Sequence, residues 1–327
     1  MRAFNTAVTS ACVSLQIALA GLVSVAAQAA TPYTAPQPLN RPGSADTQPW
    51  DINDAGTIVG WSTAGAFSYA NGVFSSLSLP VANLGVTATG ITNAGMVVGN
   101  YSTGDVNSPT SHGFLLDDGI FSTFDLPGVV NTNIRHVSSD GRYLSGISDN
   151  ASISTSDGFV YDRQTSTLTH LLNDGSYSGV IVQGVNRYGQ VTGSFVSHVV
   201  NGHMTRGAFI YDLLTQALAE FTDVAGRSRP RFRDINDNGL ITGFVGTDAF
   251  VGTPGDWFIF SPTAGQSSVI GYGLNNSGVA VGFALADITG QILGGVATPV
   301  PEPATGLLWM LGGGFVALAV RRRQRQS

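Results

Sequence analysis

One motif recurs six times along this chain and dictates what it can fold into. INDAGTIVGW begins at Ile52, ITNAGMVVGN at Ile91, VSSDGRYLSG at Val137, VNRYGQVTGS at Val185, INDNGLITGF at Ile235 and LNNSGVAVGF at Leu274. Their first glycines, Gly56, Gly95, Gly141, Gly189, Gly239 and Gly278, are spaced 39, 46, 48, 50 and 39 residues apart. A period of that length marks a repeat array. Asn or Asp ahead of the glycine makes an Asx turn, and glycine takes a positive φ without a Cβ penalty, so N-x-x-G reverses the chain cheaply. A second glycine (Gly60, Gly99, Gly193, Gly243, Gly282) stands inside the next strand. It weakens a strand unless another backbone must approach closely, a need that strands converging on a central axis would create.

A second element follows most motifs: AFSYANG, HGFLLDDG, DGFVYDRQT, GAFIYDLLT and DWFIFSPTAG, anchored on Phe67, Phe114, Phe159, Phe209 and Phe258. A third reads VFSSLSLP, IFSTFDLPG, STLTHLLNDG and ALAEFTDVAG. Aromatic and β-branched runs closed by Gly, Asn, Asp or Pro predict strands ending in turns, and helical periodicity is absent between the two termini. Three or four strands per unit of about 44 residues predict an all-β repeat architecture, a β-propeller of five or six blades. The ends favour closure. YTAPQPLNRPGS, from Tyr33, reads as a lone strand, while the sixth unit lacks an F-x-Y strand and ends in QILGGVATP. An N-terminal strand completing the last blade reconciles the two. The alternative is an open β-solenoid, which needs caps.

The ends divide the chain into residues 1–29, 30–299 and 300–327. Residues 1–29 read as a signal peptide: Arg2, the apolar LQIALAGLVSVAA, and Ala27-Gln28-Ala29 before the cleavage point. The single cysteine, Cys12, lies inside it, so the exported chain has no thiol for a disulfide, a zinc site or a nucleophile. Residues 304–320 carry no charge and are just long enough to cross a membrane as a C-terminal transmembrane helix. Arg321, Arg322, Arg323 and Arg325 follow at once as a stop-transfer cluster in the basic tail 321–327 and, by the positive-inside rule, remain cytoplasmic.

Pro301-Glu302-Pro303, a short apolar span and a basic end, in that order, resemble the PEP-CTERM sorting signal. The resemblance implies recognition of Pro301, Glu302 and Pro303 by an exosortase-type membrane enzyme, transient residence in the inner membrane, and a destination at the cell surface or outside it. Two prolines keep the tripeptide extended and unpaired, which suits a protease cleft. The N-x-x-G-x-[IV]-[VT]-G motif with its aromatic strand also resembles the HAF-type extracellular repeat, a propeller-like family of surface proteins. The nearest forms of its triplet are His112-Gly113-Phe114 and Gly207-Ala208-Phe209.

All 15 basic residues are Arg, one in the signal and four in the tail, leaving 10 against 21 acids if Glu302 is retained, a body of about −11. That argues against nucleic acid as a partner. Arg227, Arg229, Arg231 and Arg233 alternate in GRSRPRFRD and, if extended, put four guanidinium groups on one face, suited to a polyanion such as an acidic exopolysaccharide. Asp234, Asn236 and Asn238 in DINDNG match the first half of a calcium loop, but Val245 stands where its bidentate Glu belongs, and the same frame is a plain turn in every repeat. His198 and His203 lack a third ligand. Trp50, Trp61 and Trp257 are read as packing residues rather than sugar platforms. No G-x-S-x-G elbow and no assignable pair of catalytic carboxylates appear, so no catalytic residue, metal site or cofactor is assigned. The sequence thus reads as an exported, non-enzymatic binding or structural protein. An extracellular polysaccharide lyase or hydrolase on the same scaffold is the competing class, favoured if Arg or His clusters with Asp at one end of the central channel.

Overall fold

Each N-x-x-G motif joins the innermost strand of a sheet to its second strand, and six sheets follow from six motifs. The structure is a computed structural model and describes residues 32–301 except 82–83, 150–155, 173–174, 176 and 198–203. Blade 1 runs Thr47–Ile52, Ile58–Ser62, Phe67–Ala70, Val73–Ser76, and blade 2 Gly85–Ile91, Val97–Asp105, Ser108–Asp117, Ile120–Phe124. Blade 3 is Asn131–Val137, Tyr143–Asp149, Ser156–Asp162, Thr167–His170, and blade 4 Tyr177–Val185, Gln190–Ser197, Arg206–Asp212, Leu218–Phe221. Blade 5 is Arg231–Ile235, Ile241–Val245, Asp248–Thr253, Asp256–Phe260. Blade 6 takes Gln266–Leu274, Ala280–Ala286 and Ile292–Ala297 from the end of the repeat and its outermost strand, Gln37–Pro38, from the beginning. All pairs within the blades are antiparallel: this is a six-bladed β-propeller.

The ring closes along both ends of the body. Gln37 pairs with Val296 and Pro38 with Gly295. Leu39 N donates to Gly294 O at 2.8 Å, Thr34 N to Thr298 O at 2.9 Å, and Val300 N to Pro32 O at 2.7 Å. Closure therefore reaches Val300, one residue before the Pro-Glu-Pro tripeptide.

The motif also joins blade to blade. Asn53 Oδ1 accepts Thr57 N within its own turn at 2.9 Å, while Asn53 Nδ2 donates to Thr92 O of blade 2 at 3.1 Å. Asn186 reaches Asn236 O at 3.0 Å, Asn236 reaches Asn275 O at 2.9 Å, and Asn275 reaches Asn53 O at 3.1 Å, closing blade 6 on blade 1. A side chain that caps its own turn and clasps its neighbour explains why Asn recurs where a plain turn would tolerate several residues.

Between blades lies a repeated aromatic core. Gly60, Gly99, Gly146, Gly193 and Gly243 pair with Phe67, Phe114, Phe159, Phe209 and Phe250, and each of these rings is fully buried. The strand glycines are required inside the blade rather than by convergence on the axis. A β-carbon at Gly193 would fall 2.2 Å from Ile181 O and 2.8 Å from the Phe209 ring. The aromatic anchor of blade 5 is Phe250, not Phe258, which belongs to the outermost strand Asp256–Phe260.

Among the described residues no helix is long and apolar enough to cross a membrane. Residues 1–29, read above as a signal peptide, Glu302, Pro303, the span 304–320, the arginines of the tail, His198 and His203 lie outside the described residues.

Candidate functional site

Two residues ahead of each motif's Asn, Thr or Ser, the innermost strands carry Asp51, Gly90, His136, Gly184, Asp234 and Gly273. Blades 1, 3 and 5 thus bring a titratable side chain toward the axis, and blades 2, 4 and 6 bring none. His136 Nε2 lies 3.1 Å from Asp234 Oδ1 and 3.5 Å from Asp51 Oδ2. All three residues are buried.

Main-chain groups of their own blades and of the following ones hold this triad. Asp51 Oδ2 accepts Ile91 N at 2.7 Å and its Oδ1 accepts Ile52 N at 2.8 Å. Asp234 Oδ2 accepts Leu274 N at 2.9 Å and its Oδ1 accepts Ile235 N at 2.7 Å. Val185 N faces His136 Nδ1 at 3.5 Å, so the neutral ring carries its proton on Nε2, toward the carboxylates. Burial opposes a charge on His136, but Asp234 and Asp51 overcome it and lift its pKa to about 9. Burial raises the Asp234 carboxyl to about 6, with the His136 charge working against the rise.

One imidazole nitrogen and two carboxylates, with the ligating atoms within 4.8 Å of one another, are a donor set able to hold a divalent cation. Every carboxylate oxygen, however, already accepts a main-chain N–H, and Nε2 carries the proton that links the triad, so the group is complete as a hydrogen-bonded ion cluster. The opening above it, among the N-x-x-G turns, has a volume of about 30 Å³, the size of one water molecule. An opening of that size holds water rather than a sugar ring.

One residue upstream, every innermost strand is bulged. The pairing register skips Trp50, Thr89, Arg135, Gln183 with Gly184, Arg233 and Tyr272 in blades 1 to 6. An extra residue in one strand re-aims its side chain, a device common beside functional sites. Here it gathers aromatic and cationic groups. The guanidinium carbon of Arg233 sits 4.7 Å from the Tyr272 ring centroid and 5.3 Å from that of Phe244. Trp50 packs on Tyr272 with centroids 4.8 Å apart. Nε of Arg135 and Nε of Arg233 are buried without a hydrogen-bond partner. Burial lowers the pKa of both guanidiniums, and for Arg135 the nearby charge of Arg233 lowers it further. Both stay charged, since arginine titrates far above neutrality.

Of the four alternating arginines, Arg233 belongs to this group and Arg231 borders it, its guanidinium carbon 5.7 Å from the Phe244 ring centroid. Arg227 belongs to a separate hairpin, Arg227–Ser228 with Asp223–Val224, and pairs with Asp248 at 2.8 Å. Arg229 has φ 63°, which breaks the extended run, and Arg231 is exposed on the blade 5 strand. The four do not form one comb. The calcium-like frame also dissolves: Asn236 Oδ1 accepts Asn238 N and Leu240 N, and Asn238 Nδ2 donates to Asn276 O, leaving only Asp234 in the axial cluster. Trp257 packs on Phe232 and Phe250. Asp234, Arg233 and Trp50 stand out singly in the sequence, but their grouping with Asp51, His136, Arg135 and Tyr272 is hidden when the repeat is read from the motif's first residue onward. Extending it two residues to the left displays both rings.

The matches with known proteins concern the tail and the fold. Residues 299–323 match the family model described as the PEP-CTERM protein-sorting motif. The tail carries the PEP-CTERM sorting motif. PEP-CTERM implies export, transient anchoring in a membrane and processing by an exosortase-type enzyme. No curated protein matches the chain by sequence. Solved structures similar to it include TolB from Acinetobacter baumannii, with 12% identity and a TM-score of 0.44 over 77% of this chain. The chain spans 63% of the length of that protein. The β-propeller domain of the Trilobed protease from Pyrococcus furiosus gives 9% identity and a TM-score of 0.45, over 80% of this chain and 99% of that one. A gluconolactonase, XC5397 from Xanthomonas campestris, gives 13% and 0.44, over 83% and 97%. At these values the neighbours say nothing of what this protein binds or does.

Proposed function

We propose that the exported propeller is a non-enzymatic binding module of the cell surface or extracellular matrix, that its ligand is an acidic polysaccharide, and that Arg135 and Arg233 with Trp50 and Tyr272 hold it. The observation that supports this is two buried, unpartnered Nε groups beside the tilted Trp50 and Tyr272 rings, a local positive group that must hold its ligand against the negative charge of the rest of the body. Guanidinium groups match carboxylates or sulfates in charge and shape, and aromatic faces take sugar rings. Processing at Pro301-Glu302-Pro303 would free the propeller at the outer surface, where such glycans lie. The HAF-type resemblance, with its surface-protein association, fits the same setting.

The polysaccharide lyase or hydrolase reading has one observation in its favour, the clustering of His136 with Asp51 and Asp234. The small opening over the triad and the N–H bonds on both carboxylates weigh against it.

Affinity electrophoresis of the purified protein through gels containing polyguluronate or neutral dextran separates these readings. Retardation by the polyuronate alone, lost in Arg135→Gln/Arg233→Gln and weakened by salt, is the expected result. Lack of retardation in the wild type sinks the binding proposal, and release of unsaturated or reducing ends during the run favours the enzyme.

A further inference from the structure

The sixth blade departs from the aromatic core of the other five. Where they pair a strand glycine with phenylalanine, blade 6 pairs Gly282 with Gly295. The dipeptides at this place read Ala-Phe, Gly-Phe, Gly-Phe, Ala-Phe and Ala-Phe in blades 1 to 5, and Gly294-Gly295 in blade 6. Nearby positions are small as well: Ala280 stands where the other second strands carry Ile58, Val97, Leu144, Val191 and Ile241.

Among the described residues, no side chain of a neighbouring blade fills the gap. A cavity of about 290 Å³ lies between blades 5 and 6, lined by Gly271, Gly282 and Gly295 on one side and by Thr242, Ala249 and Val251 on the other. Phe260 stands on its border, edge-on to Tyr33 at 5.6 Å. Its outer wall is Pro38 of the closing strand and Pro36 just before it, both exposed, so the cavity meets solvent there. An apolar cavity of this kind holds water poorly and takes apolar guests.

We propose that this slot is a binding site for a ligand bearing a single aromatic ring, a benzyl or phenolic group. Five internal copies display the occupant. In each, a phenyl ring lies against a glycine so closely that a β-carbon there would come within 2.8 to 3.0 Å of the ring. Gly282 and Gly271 keep the same flat floor in blade 6, and the partner of Gly282 is Gly295, which puts no ring on it. Flat aromatic rings fit such a slot better than puckered ones, because the walls are backbone and cannot yield.

Titration of the purified protein with 4-fluorobenzyl alcohol, followed by ¹⁹F NMR, tests the proposal. The wild type should show saturable binding. Gly295→Phe should weaken it at least tenfold while unfolding at the same or a higher temperature. A β-carbon at Gly295 meets Pro36 Cβ at 3.4 Å and Gln37 O at 3.8 Å, ordinary contacts, so the side chain can enter. Ala284→Leu narrows the same cavity from another wall and serves if the first variant does not fold; it too should weaken binding. No saturable binding to the wild type, unchanged binding to a folded plug variant, or equal binding of cyclohexylmethanol would each overturn the proposal.

Discussion

Blades 1, 3 and 5 differ from blades 2, 4 and 6 at a single axial position, and the difference shows how a sixfold repeat resolves crowding at its centre. The odd blades carry Asp51, His136 and Asp234; the even ones carry Gly90, Gly184 and Gly273. A β-carbon at Gly184 would fall 2.6 Å from Asp234 Cα, and one at Gly273 would fall 2.7 Å from Asp51 Cα. Each acid therefore needs a glycine beside it. One imidazolium between two carboxylates balances one of the two negative charges, and the N–H groups of Ile91 and Leu274, supplied by even blades, help to hold the acids. The axis is built with threefold alternation on a sixfold frame.

Removing one member of the odd set should have the largest effect. Asp234→Ala leaves His136 with a poorer partner and strips the Ile235 and Leu274 N–H groups of their acceptor. Breaking a buried ion pair this way costs about 3–5 kcal/mol, read as a large fall in denaturation midpoint. A change near zero would mean that the triad does not hold the blades together. On the even side, Gly184→Ala should cost about 1–3 kcal/mol by overpacking against backbone. Gly179→Ala in the same strand, whose β-carbon meets nothing within 4 Å, is the control and should be nearly silent. Equal effects at the two positions would show that general strand propensity, rather than axial crowding, explains the glycine.

Titration sharpens the comparison further, since only the odd blades carry axial charge. The folded pKa of His136 is raised to about 9 from 6.5, so the native state holds that proton more tightly than the unfolded chain. Its contribution is full below the unfolded value and is lost as pH rises from about 6.5 through 9. Asp234, raised from 3.8 to about 6, acts in the same direction at lower pH. The unfolding temperature of the wild type relative to His136→Gln should therefore shrink between pH 6.5 and 9. A gap that stays constant across that window would mean that His136 is neutral and only a hydrogen-bond donor.

The repeat was legible because its turns, paired glycines and aromatic strands are local signals with a fixed period. Closure of blade 6 by Gln37–Pro38 was legible too, from an unpaired strand at one end and a missing one at the other. The sites were not. Asp51, His136 and Asp234 lie 85 and 98 residues apart and meet only because odd blades face one another across the axis. The arginines misled for the opposite reason: sequence proximity in GRSRPRFRD implied one surface, yet the positive φ at Arg229 turns the chain between Arg227 and Arg231. Gly295 was visible only as the lack of an F-x-Y strand, a sign that gained meaning once its partner Gly282 was known.

The smallest expected effect concerns the clasp rather than the triad. Blades 1, 4, 5 and 6 use Asn to cap the turn and reach the next blade, whereas Thr92 of blade 2 caps its turn, accepting Met96 N at 3.0 Å, but has no amide to extend toward blade 3. Asn100 serves that junction instead, through Nδ2 to Ile134 O at 2.8 Å and Oδ1 from Ile134 N at 2.7 Å. Thr92→Asn should add a bond to the main chain of blade 3 and stabilise by about 0.5–1.5 kcal/mol, seen as a small rise in unfolding temperature. Combined with Asn100→Ala, it should recover part of what that variant loses. Failure to rescue would mean that the junction between blades 2 and 3 is spaced for the Asn100 bridge, so that the repeat tolerates two different clasps because each fixes its own inter-blade distance.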